Sequence, residues 1–171
     1  AIDLEFPGQV ITDKIDVLKS YFPLPMNKAP EVYPQLSKMP RMWEMGYKIS
    51  DGKKRVQLTY KLFGPYFRWY LDDMIMKYPV DLFVSVHQLI NEPVARVVHE
   101  YGIKFATVVT DLVSTHAAWF TPEADLITVP TQTAYERGLE MNISPEKLFI
   151  TGQPVADRFC QPVADKPTLR E

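Results

Sequence analysis

From residue 80 onward the chain alternates short apolar runs with helix-length segments, a rhythm that few folds accommodate. Residues 80–86 (VDLFVSV), 104–110 (KFATVVT), 125–129 (DLITV) and 147–151 (KLFIT) read as strands. Residues 93–101 and 131–141 read as helices, the first closed by Gly102 and the second capped by Thr131. Strands alternating with helices of this length indicate βαβ units and a parallel sheet, whose right-handed crossovers predict helices on both faces. The expected class is α/β, a Rossmann-like doubly wound parallel sheet.

The first half is less regular. Residues 10–18 (VITDKIDVL) show the partial alternation of a strand. Residues 53–78 predict one long helix, with a kink at Gly64-Pro65. Between them, five of the fifteen prolines (Pro23, Pro25, Pro30, Pro34, Pro40) crowd into residues 23–40. Proline biases its preceding residue toward extended backbone, so residues 20–40 read as a loop with short helical pieces, continuing as a helix through residues 41–50. Asp51-Gly52 punctuates the two helices.

Composition narrows the function classes. A net charge of −2 argues against broad electrostatic binding of nucleic acid. One cysteine, Cys160, excludes an internal disulfide framework and fits a reducing, cytoplasmic setting. No apolar run approaches the ~20 residues that span a bilayer. Residues 1–9 show neither a signal peptide nor an initiator Met, so the chain reads as a fragment or a processed piece. No G-x-G-x-x-G turn, P-loop, H-E-x-x-H or C-x-x-C is present, so no nucleotide, metal or redox cofactor is expected in this segment.

Chemistry-bearing side chains concentrate in residues 107–120 (TVVTDLVSTHAAWF), just beyond an expected strand end. In open α/β sheets that is where ligands bind. His116 suits a general base or a donor to a substrate oxygen, or else is a surface-loop histidine. Asp111 either orients His116, binds a hydroxyl or caps a turn. His87 ends the strand at 80–86 and shares a face with Ser85 by period two. His99, late in a helix, suits the helix dipole instead. Trp119 and Phe120 are core anchors or an apolar lip for a lipid or a sugar. Phe22, Met26, Met39, Met42, Trp43 and Met45, with Lys28, Lys38, Arg41, Lys48, Lys53, Lys54 and Arg55 nearby, read either as a membrane-facing surface for anionic headgroups or as a solvated basic face over an ordinary core.

Several stretches together resemble the monogalactosyldiacylglycerol synthase family, which includes related bacterial diacylglycerol glucosyltransferases. They are YFPLPMN (21–27), SVH (85–87), TVVTDL (107–112), HAAWF (116–120), VPT (129–131) and TGQPV (151–155). The resemblance implies the N-terminal half of a two-domain GT-B glycosyltransferase, lacking its first strand. On it, residues 1–160 form an acceptor- and membrane-binding domain, and 161–171 lead toward a donor-binding domain outside this chain. The full enzyme would move a hexose from UDP-galactose or UDP-glucose to the 3-hydroxyl of diacylglycerol, at a membrane it meets peripherally.

Carried over by position, Asp111 and His116 become the catalytic candidates. Pro25, His87 and Trp119 become acceptor- and lipid-binding candidates, joined by Met26, Trp43 and Phe120 from the apolar residues read above. Gln88 and Ala117 stand where the family usually has proline, and the family's opening strand and G-G-G-H turn have no counterpart here. The segment alone is therefore expected to be inactive. It is also expected to be of marginal stability and prone to self-association, because a missing central strand exposes backbone edges. Two alternatives are a non-catalytic lipid-binding module and a glycosyltransferase of peptidoglycan precursors.

Overall fold

The computed structural model describes residues 5–22, 24, 26–28, 31–32, 34, 38–156 and 159–160, the side chain of Trp43 excepted. Helices α1 (Val17–Tyr21), α2 (Pro40–Ser50) and α3 (Lys53–Lys77) precede strand β1 (Leu82–Ser85). Helix α4 (Asn91–Glu100), β2 (Lys104–Val108), β3 (Leu126–Val129), α5 (Gln132–Glu140) and β4 (Leu148–Ile150) follow. The four strands form one parallel sheet in the order β1-β2-β3-β4. This is the expected α/β Rossmann-like class.

Local chemistry explains most boundaries. Pro40 opens α2 at a position where its missing N–H costs nothing. Gly52, at φ +124°, separates α2 from α3. Thr131 caps α5, its hydroxyl accepting from the Ala134 amide at 3.2 Å. Helix α3 runs unbroken through Pro65. It packs Phe67, Leu71, Met74 and Ile75 toward α4, whose Val94, Val97 and Val98 are buried.

Residues 10–18 do not form the expected strand. Residues 10–16 are irregular, Ile11 is 97% exposed, and α1 begins at Val17. Asp16 decides this, since its Oδ1 accepts from the Lys19 amide at 3.0 Å and caps the helix. The turn then buries Val17, Leu18 and Tyr21, while the Phe22 ring lies tilted against Phe67 of α3, centroids 4.7 Å apart.

The sheet is covered on one face. By register, Phe83, Ser85, Phe105, Thr107, Ile127, Val129 and Leu148 share the inner face, where Phe105 and Ile127 have no exposed surface. Leu82, Val84, Leu126 and Phe149 share the other face and stay exposed. Helices on both faces were expected. The strands instead step in one direction, so right-handed crossovers deliver α4 and α5 to the same side. The β2–β3 crossover contains no α-helix, only a 3₁₀ turn at Ala117–Trp119.

At the amino ends of the strands, Asp125 is a clamp. Its carboxylate accepts from the Phe105 amide at 2.9 Å, Lys104 at 2.9 Å and His99 Nε2 at 2.8 Å. Burial opposes ionisation, but these three partners outweigh it and hold the Asp125 carboxyl well below the usual carboxylate range.

Candidate functional site

The carboxyl ends of β1, β2 and β3 deliver Ser85, Asp111 and Thr131 to one edge of the sheet. Asn91, fully buried, joins the end of β1 to the β2–β3 crossover. The Ser85 hydroxyl donates to its Oδ1, and its Nδ2 donates to the Trp119 carbonyl at 3.1 Å. Thr131 donates to the Leu112 carbonyl at 2.6 Å. The irregular crossover is thus stitched to the strand ends.

His116 is buried within this stitching. Its Nδ1 accepts from the Ala118 amide at 3.0 Å, and its Nε2 lies 3.1 Å from Ser50 Oγ. An acceptor at Nδ1 leaves the proton on Nε2, facing Ser50. Burial pushes the imidazole pKa down, and Asp51 and Asp111 only partly offset it. Both nitrogens are engaged within the fold, so His116 is a neutral strut of the loop.

Asp51 is the hub that sequence reading missed. Its Oδ1 accepts from the Ala117 amide at 2.8 Å and its Oδ2 from the Arg137 guanidinium at 2.8 Å. Tyr47 adds a hydrogen bond from its hydroxyl to the Ser114 carbonyl at 2.7 Å, with its ring edge-on to His116 at 4.9 Å. Tyr47, Ser50 and Asp51 close α2, and Arg137 lies on α5. The loop is therefore held between two helices more than 60 residues apart in sequence. Along that seam runs an open groove of about 370 Å³, lined by Tyr47, Asp51, Ser114, Thr115, Thr133 and Arg137.

Asp111 and His87 offer the open polar atoms. Asp111 Oδ2 accepts from Trp119 Nε1 at 2.7 Å, and no described residue hydrogen-bonds its Oδ1. His87 is exposed, and its Nδ1 accepts from the Leu89 amide at 3.3 Å. Nothing among the described residues hydrogen-bonds its Nε2. Crowding by the protein lowers its pKa, against the pull of Asp16 and Asp111. Asp111 is thus near enough to His87, across the ends of β1 and β2, to favour the charged imidazole against burial.

The aromatic pair does not form an open lip. Trp119 is 3% and Phe120 5% exposed. The Asp111 bond draws the indole inward, and Phe120 lies against Gly138 of α5. Met26, on a 3₁₀ turn, is partly buried against the core. Pro25 and the side chain of Trp43 lie outside the described residues. Among the described residues no cluster of His, Cys, Asp and Glu could hold a metal ion.

A sequence model of the monogalactosyldiacylglycerol (MGDG) synthase family matches residues 1–155. The chain belongs to that family. A probable chloroplastic MGDG synthase of Nicotiana tabacum is 29% identical over 175 residues, 100% of this chain and 33% of that protein. One from Glycine max is 30% identical over 159 residues, 91% of this chain and 30% of that protein. MGDG synthase 1 of Arabidopsis thaliana, also chloroplastic, is 27% identical over 174 residues, 99% of this chain and 33% of that protein. The chain spans about a third of the length of these MGDG synthase relatives.

Proposed function

We propose that this chain is the acceptor-lipid side of a glycosyltransferase that moves a hexose from a UDP-sugar to diacylglycerol. The family match over residues 1–155 carries the reading. The relatives' names favour galactose, and hence UDP-galactose as donor. Residues 1–160 form the acceptor-binding domain, 161–171 lead toward the donor-binding domain, and the protein works peripherally on a membrane. No helix among the described residues is long and apolar enough to cross one.

The geometry favours particular roles within that reading. A hydroxyl attacking a sugar must lose its proton, and a positioned base with a pKa near neutrality does this best. His87 Nε2 and Asp111 Oδ1 are the groups free to meet an acceptor hydroxyl at the strand ends. His116 holds the loop that carries Asp111. Trp119 shapes the site through its bond to Asp111.

The test uses a longer protein carrying the donor side, with labelled UDP-galactose and diacylglycerol in mixed micelles. Turnover is expected there and not from the 171-residue chain alone. His87→Gln and Asp111→Asn should each lower kcat/KM by about 10²–10⁴-fold. Wild-type turnover in both variants sinks the assignment of these roles.

A further inference from the structure

The parallel ladder between β1 and β2 ends at the pair Ser85↔Thr107, short of both His87 and Asp111. Pairing of the two strands therefore does not fix the spacing of the groups that meet the acceptor hydroxyl. Side chains carry the join onward, and Asn91 stands at its centre with no exposed surface. On one side the Ser85 hydroxyl, itself buried, gives its single proton to Asn91 Oδ1. The Ser85 oxygen then accepts from the His87 amide at 3.4 Å. On the other side Asn91 Nδ2 donates to the carbonyls of Trp119 at 3.1 Å and Ala118 at 3.4 Å. The Trp119 indole closes the chain on Asp111 Oδ2 at 2.7 Å. A continuous run of hydrogen bonds thus leads from the backbone of His87 to the carboxylate of Asp111.

The surroundings dictate the residue type. One end of the amide meets a hydroxyl that needs an acceptor, and the other meets two carbonyls that need a donor. A carboxamide offers both from one short planar group. Aspartate would set an oxygen against the two carbonyls, and leucine would strand buried polar atoms at both ends. With Oδ2 of Asp111 held by the indole, Oδ1 is the oxygen left for a substrate. Such placement matters to rate, because a displacement of about 1 Å can cost about 10²-fold.

We infer that Asn91 is a positioning residue for the transfer, fixing the Asp111 carboxylate relative to His87 through Trp119 and Ser85. Being fully buried, it acts through these partners and not on the substrate itself. The inference rests on the roles proposed for His87 and Asp111, and adds the residue that sets their spacing.

The first test is an NMR titration of His87 in the 171-residue chain, with and without Asp111→Asn. Asp16 and Asp111 are the acids whose charge favours the His87 imidazolium, so Asp111→Asn should lower the His87 pKa. In an Asn91→Leu background that shift should shrink by about half or more, and the Trp119 indole N–H should exchange faster with solvent. Ser85→Ala, which deletes only one hydroxyl, should give the same reading in weaker form even where the leucine variant does not fold. The titration needs neither donor nor lipid, so its failure is distinct from failure of the transferase roles. The second test uses the longer protein carrying the donor side. There Asn91→Leu should lower kcat by about 10²-fold with the KM for UDP-galactose unchanged. Added to Asp111→Asn it should cost little more, since residues that act as one unit are not additive. A His87 shift of undiminished size in both Asn91→Leu and Ser85→Ala, or losses in kcat that multiply, would overturn the proposal.

Discussion

At the residue scale, the two loop histidines divide their roles according to which nitrogens are taken. His116 has both engaged, and burial keeps it neutral. Its folded pKa lies below the ordinary 6.5, so its contribution to stability is complete above that pH and is lost as pH falls through the lowered value. Urea unfolding should therefore show falling stability from pH 7 to 5.5, with a shallower slope in His116→Asn. Identical slopes would refute the strut role. Asp51 offers a sharper test, since Asp51→Ala strands the Ala117 amide and leaves the Arg137 guanidinium to Glu140 alone. A loss of about 1–3 kcal/mol is expected. Faster hydrogen exchange at Ala117 should accompany it, and a stability loss without that change would place the cost elsewhere.

At the element scale, α5 closes over the sheet through a gap that only glycine fits. A Cβ on Gly138 would lie 2.9 Å from both Leu148 methyls and 3.0 Å from Phe120 Cε1. Alanine ordinarily favours a helix over glycine by about 1 kcal/mol. Here Gly138→Ala should instead destabilise by about 1–3 kcal/mol through overpacking, measurable by chemical denaturation. The strands and helices from residue 80 onward were legible because periodicity and caps such as Thr131 and Gly102 agree with the packing. Residues 10–18 misled because their weak alternation carries a helix cap at Asp16 that only the folded chain exposes. The site was legible in part. Asp111 and His87 follow strand ends, where the βαβ pattern places ligands, and His116 lies in the loop beyond. Asp51 and Arg137 left no such trace, for 86 residues separate them in sequence and only the fold joins them. Trp119 reads as core by default and as a lip beside the polar loop, and its burial and indole bond to Asp111 put it in the core.

At the scale of the whole molecule, the bare sheet face is the conspicuous departure. Parallel sheets are ordinarily buried on both sides, yet Leu82, Val84, Leu126 and Phe149 remain exposed. The native chain should bind an apolar fluorescent dye there, and Val84→Lys with Phe149→Lys should remove most of that signal while leaving the melt in place. Unchanged dye binding in the variant would move the apolar site elsewhere. The strand order has a consequence in time. Because β1, β2, β3 and β4 lie in the sheet as they lie in the chain, each strand leaving the ribosome meets a neighbour that has already emerged. Pairing therefore needs only the closure of one intervening segment, and the sheet can be laid down strand by strand as synthesis proceeds.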